Sequence, residues 1–146
     1  MAGRARGGIV EALVTKLKLI DGSGTYNSDL ASNVTNKLVF WDEVNDFPYL
    51  SVTAGNEVRE YLPGNSFKWG ILGITVRMYV QGEDPVNELE KVFTDVEEII
   101  DNNNQLTYDV GKTTQEIRIQ SITSDEGLLA PFGVGEITLE VKYQVM

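Results

Sequence analysis

The segment "EITLEVKYQV" alternates without a break. Ile137, Leu139, Val141, Tyr143 and Val145 fall on one side of an extended chain, and Thr138, Glu140, Lys142 and Gln144 fall on the other. A strand of this kind belongs to a sheet with one apolar face, which another layer must cover. The longest strand candidate, "FKWGILGITVRMYVQG", repeats the pattern: Ile74, Val76, Met78 and Val80 oppose Thr75, Arg77, Tyr79 and Gln81.

Two segments can supply the covering layer. Over residues 9–20, Ile9, Leu13, Leu17 and Ile20 recur at spacings of three and four, with Val10 and Val14 widening the stripe. This helix ends near Asp21-Gly22. The second is sharper. Asp84 fits an N-cap and Pro85 the first helical position. Val86, Leu89, Val92, Phe93, Val96, Ile99 and Ile100 then form one stripe, with Glu88, Glu90, Asp95, Glu97 and Glu98 largely opposite, up to Asp101-Asn102-Asn103-Asn104. "KLVFWDEV", "YLSVTAG" and "EVREYL" read as further strands, separated at residues 46–48 and at Ala54-Gly55-Asn56, and "QEIRIQSIT" as another. The class is α+β: a twisted, mainly antiparallel sheet with two helices packed on one face.

At 146 residues the chain is one domain in size, and such a length buries roughly 70% of the surface its unfolded form exposes. It contains neither cysteine nor histidine, so disulfides, thiolate nucleophiles, imidazole metal sites and Ser-His-Asp triads are excluded. The start, "MAGRARGGIVEALVTKLKLID", reads as an amphipathic helix rather than a signal peptide. No apolar run approaches the ~20 residues of a membrane span.

The net charge is −10, yet residues 1–20 carry Arg4, Arg6, Lys16 and Lys18 against Glu11, a local +3 that leaves −13 for the remainder. Affinity for DNA comes largely from cations that displace counterions, so DNA binding is not the expected task.

The remaining chemistry is thin. Glu140-Val141-Lys142 is an E-x-K of the kind found in metal-dependent nucleases, but it sits in the last strand, and Glu57-Val58-Arg59 is the nearest equivalent in the earlier meander. The alternation alone would place Glu140 and Lys142 outward. Asp95 and Glu98, one turn apart, suit a carboxylate pair for a metal, though acids opposite an apolar stripe more often form a solvated face. Gly133-Val134-Gly135-Glu136 and Lys112 complete no phosphate-binding loop. Asn33-Val34-Thr35 matches a glycosylation sequon. Trp41 and Trp69 could stack a ligand, but in strands they serve packing or interfaces more often. No catalytic, metal or cofactor residue is expected.

Two irregular segments stand out. Residues 21–36, "DGSGTYNSDLASNVTN", form a long polar arm containing Tyr26 and Leu30. Residues 124–135 place Leu128, Leu129, Phe132 and Val134 beside Pro131 and three glycines, where neither a regular helix nor a regular strand is expected. Apolar groups there fold back on the domain or dock on another chain.

This Pro-Phe-Gly-Val loop leading into "EITLEVKYQV", together with the N-terminal helix, "FPYLSVTAGNEV", the "DGSGTYNSDLASNV" arm and "ITVRMYVQGEDPVNELEKVFTDVEEIIDNN", resembles the tail terminator (tail-completion) proteins of long-tailed bacteriophages. The resemblance spans nearly the whole chain in element order. It implies a tube-like fold and a non-enzymatic virion protein, assembled in the host cytoplasm and located at the neck end of the tail. Such a protein forms a hexameric ring that caps the tail tube, ends its polymerisation and meets a head-completion or connector protein, with DNA passing through the lumen. The interface residues expected on this reading are Leu128, Leu129, Phe132, Val134, Tyr26 and Leu30, and the positive N-terminal segment would face an acidic neighbour or the tube end. A head-tail connector or minor tube-like protein fits the same pattern, and a metal-dependent nuclease or a generic soluble binding module are the readings outside virion architecture.

Overall fold

The structure is a computed structural model that describes residues 5–24, 26–30, 33–65 and 68–145. Helix α1 spans Ala5–Leu17, followed by β1 (Val34–Thr35), β2 (Tyr49–Tyr61), β3 (Lys68–Gln81) and helix α2 (Pro85–Asn102). A small hairpin of β4 (Thr107–Asp109) and β5 (Lys112–Thr113) precedes β6 (Glu116–Ser124) and β7 (Phe132–Val145). The main sheet runs β1-β2-β3-β7-β6, and every pairing but the parallel β1-β2 contact is antiparallel.

Register explains the core. Leu72, Ile74, Val76, Met78 and Val80 of β3 stand opposite Val141, Leu139, Ile137, Gly135 and Gly133 of β7 on one face. That face carries both helices. Leu89, Val92, Phe93, Val96, Ile99 and Ile100 of α2 and Ile9, Val10, Leu13 and Leu17 of α1 join it in a single buried cluster, each large side chain contributing about 1.5–3 kcal/mol relative to exposure. The α2 start is as its sequence dictates: the Asp84 carboxylate accepts from the Asn87 N–H at 3.2 Å, with Pro85 in the first turn.

Three expectations need correction. "KLVFWDEV" is not a strand: its residues cross the outer face of the sheet, Trp41–Glu43 forming a single 3-10 turn. The backbone is held there by side chains, the Ser51 hydroxyl donating to the Lys37 carbonyl at 2.6 Å and the Tyr79 hydroxyl to the Val39 carbonyl. "YLSVTAG" and "EVREYL" are one strand, because Gly55 and Asn56 are absorbed as a bulge: Ala54 pairs with Ile74 and Glu57 already with Leu72. Phe132 and Val134 begin β7 rather than lying in an irregular loop, and the glycines that follow each of them are positions of close packing. A Cβ on Gly133 would stand 2.8 Å from Val80 Cγ2, and one on Gly135 only 2.7 Å from Phe93 Cζ.

Asp95 is a fourth. It is 1% exposed rather than solvated, and its two oxygens accept from the backbone N–H groups of Asn27 at 2.9 and 3.0 Å and of Ser28 at 2.7 Å. The arm is therefore docked on α2. Leu30 is fully buried, and a bridge joins Asp21 to Asp29.

Candidate assembly surface

The chemistry-bearing residues gather at the two ends of β7. At its start, residues 124–131 form a compact turn. The Asp125 carboxylate accepts from the Leu129 N–H at 3.2 Å and the Gly127 N–H at 3.4 Å. Backbone bonds run from Leu128 N–H to Asp125 O, Phe132 N–H to Leu129 O, Asp125 N–H to Val134 O and Gly82 N–H to Pro131 O. Glu126 and Gly127 adopt positive φ of 59° and 88°, a conformation glycine accepts freely and glutamate takes at some cost.

The result is a fixed knob. Leu128 stands on it at 85% exposure, Val86, 44% exposed, lies close to the adjacent Gly127, and Glu83, Asp84 and Glu126 are also exposed. Of the other residues expected at an interface, Leu129, Phe132, Val134 and Tyr26 are half-buried. Phe132 packs on Phe47 at a ring-centroid distance of 5.6 Å, and Tyr26 packs on the core. Leu30, as a core residue, presents nothing to a partner.

The far end of β7 is unlike the first. Here the sheet runs past the start of α1, and Arg6, Arg59, Trp69, Tyr108, Lys112 and Tyr143 border an open groove of about 1130 Å³. Gly70 makes the room: a Cβ there would lie 2.7 Å from the Tyr143 ring. At the edge of the groove, the Glu57 side chain is 5% exposed and sits 3.9 Å from Arg6 Nε. It accepts from the Tyr143 hydroxyl at 2.7 Å and from Arg59 Nε, and the Arg6 guanidinium also donates to the Gly55 carbonyl. The sequence does not reveal this hub, since Glu57 and Tyr143 are brought together only by the pairing of β2, β3 and β7.

Burial, then the bond to Glu57, pushes the Tyr143 hydroxyl up to about 12. An unfolded tyrosine titrates near ~10, so the stability this group lends is whole below that pH and is lost as the pH rises towards 12. Burial raises Tyr26, Tyr79 and Tyr108 in the same direction. Denaturation midpoints should therefore fall across this window. In an alkaline absorbance titration, Tyr143→Phe should remove the last tyrosine to ionise; loss of amplitude from the ordinary tyrosine range near ~10 instead would mean that Tyr143 is not held by Glu57.

Other candidates settle into structural places. Glu140 faces outward and accepts from Gln120 Nε2 at 3.5 Å, while Lys142 Nζ lies 4.9 Å from the Trp69 ring centroid. Arg77 pairs with Glu136 across β3 and β7 at 3.2 Å. Asp95 is taken up by the arm rather than by Glu98. Arg4 and the Trp41 side chain lie outside the described residues.

Comparison with known proteins finds likeness along nearly the whole chain. A family model described as Bacteriophage Tail Tube Terminator Protein matches residues 3–146. The tail tube terminator protein p142 of Escherichia phage T5 is 34% identical over 151 residues, covering 95% of this chain and 93% of that protein. Among solved structures, a chain of the virion of a native gene transfer agent particle superposes with a TM-score of 0.66 at 10% identity, over 98% of this chain and 100% of that one. At that identity the likeness concerns the fold.

Proposed function

Since the chain belongs to the bacteriophage tail tube terminator family, we propose that its copies close head to tail into a ring on the upper end of a tail tube. The ring ends tube polymerisation at the neck and joins the tail to the head-completion or connector complex. The family makes the chain a structural component of the virion tail and not an enzyme.

The observation that supports ring closure is the dissimilarity of the two ends of β7. A head-to-tail ring needs two different patches on each subunit, each complementary to the other patch on its neighbour. A fixed apolar knob at one end and an open groove at the other meet that requirement. The acidic surface suits a lumen through which DNA slides without being retained.

The deciding assay adds the protein to polymerising tail tube protein and measures tube lengths, alongside native mass spectrometry and negative-stain images. Short, uniformly capped tubes and a closed ring are expected. Tubes of unchanged length, with binding to portal-side complexes instead, would make the protein a connector.

Leu128→Asp sharpens the test, because its side chain is exposed and its loss should alter folding stability by no more than about 0.5 kcal/mol. The variant should remain folded yet fail to close the ring. Unchanged assembly would remove the knob from the interface. Phe132→Asp is a poorer probe, since the Phe47 contact makes it a folding substitution as well.

A further inference from the structure

The groove at the end of β7 has a chemistry at odds with the rest of the chain. On a protein of net charge −10, it brings Arg6, Arg59 and Lys112 together beside Trp69, Tyr108 and Tyr143. The nearby carboxylate of Glu57 is almost fully buried and already engaged by Tyr143 and Arg59. Lys112 makes no ion pair among the described residues. The groove is thus cationic at its rim and aromatic in its walls, Tyr108 and Tyr143 meeting edge to face at 6.1 Å. At about 1130 Å³ and open to solvent, it exceeds the ~300–1,000 Å³ usual for small-molecule sites and suits a short loop.

The complementary shape and charge are on the same chain. Residues 125–129 carry Asp125, Glu126 and the exposed Leu128 on a turn fixed by its own hydrogen bonds. This knob precedes β7 and the groove lies at the end of β7. At about 3.4 Å per residue along a 14-residue strand they stand roughly 40 Å apart. A subunit cannot fill its own groove.

We infer that the groove bordered by Arg6, Arg59, Lys112, Trp69, Tyr108 and Tyr143 is the seat for the residue 125–129 knob of a second copy of this chain. Leu128 inserts against the aromatic walls, and Asp125 and Glu126 meet the cationic rim. This inference rests on the ring reading and names the surfaces that close it. Opposite charges at the rim fix the direction of docking and repel the reversed pairings of knob with knob and groove with groove.

Because the chain has no cysteine, a disulfide trap starts from a background free of thiols. The Ala130→Cys/Thr113→Cys double variant, which puts thiols on exposed positions beside the knob and in the groove while keeping Leu128 and Lys112, is oxidised with and without tail tubes and run on a non-reducing gel. The Ala130→Cys/Glu90→Cys variant, whose second thiol is on the exposed side of α2, serves as control. Native mass spectrometry of the unaltered protein under the same conditions reports whether rings form at all.

A ladder of covalent multimers ending in one closed species, absent from the control, is the expected result. In parallel, Lys112→Glu should weaken association at least tenfold, and adding Glu126→Lys should restore it. Rings of the unaltered protein without a ladder or without this rescue would overturn the groove as the seat while leaving ring closure intact. Absence of rings with and without tubes would overturn ring closure and the groove assignment together.

Discussion

Asp95→Ala is expected to lower unfolding stability by about 3 kcal/mol and to release the arm from the body. The carboxylate is 1% exposed and accepts from the backbone N–H groups of both Asn27 and Ser28, with the two side chains adding further bonds. Hydrogen bonds to a charged group contribute about 1.5–3 kcal/mol each. Asn27 is exposed and Ser28 half-exposed, so water can replace part of the loss once the arm lifts, which keeps the total below the sum of the bonds. Urea denaturation would measure the difference. Hydrogen exchange would locate it: the Asn27 and Ser28 amides should lose protection while those at the centre of β3 keep theirs. Equal loss of protection in both places would mean that Asp95 supports the whole core rather than the arm.

Gly135→Val should cost about 3 kcal/mol or more, enough to leave much of the protein unfolded. Its Cβ would begin 2.7 Å from Phe93 Cζ, 2.8 Å from Phe93 Cε1 and 3.1 Å from Leu89 Cδ2. Overpacking of a closed core costs about 1–3 kcal/mol even for modest additions, and Phe93 is 5% exposed with little space to retreat. The smaller Gly135→Ala should be milder and should be partly rescued by Phe93→Leu, which withdraws the clashing ring atoms. A double-mutant cycle on urea midpoints would show a favourable coupling between the two positions. Strict additivity would mean that α2 does not rest on Gly135.

These two residues mark where reading the sequence reached its limit. The helix at Pro85–Asn102 and the alternation of β3 and β7 were legible because local spacing, capping and burial agree. Asp95 was not, because an acid opposite an apolar stripe has the same local pattern whether it meets water or an arm returning from residues 27–28. Gly133 and Gly135 looked like interruptions, since a glycine that makes room for Phe93 is indistinguishable along the chain from one that bends it. "KLVFWDEV" has the composition of a strand, but the carbonyls of Lys37 and Val39 are taken by Ser51 and Tyr79 side chains instead of a neighbouring strand. At the candidate assembly surface, the exposure of Leu128 accords with its place between two turn signals. The groove was not legible, because its residues come from α1, β2, β3, β7 and the β4-β5 hairpin and share no motif.

The position of β7 has a consequence for the order of events during synthesis. The last strand in the chain is the one inserted between β3 and β6, and it supplies half of the floor beneath α2. Until the ribosome has delivered it, β6 has no partner in the main sheet and the apolar stripe of α2 rests on β3 and α1 without half of its floor. Such long-range pairing must wait for the loop to close. Neither the knob nor the groove can take shape on a nascent chain, because β7 carries the exit from one and the Tyr143 wall of the other. On the proposed ring, a copy would gain its two contact surfaces only once β7 has emerged, which would withhold copies lacking that strand from assembly.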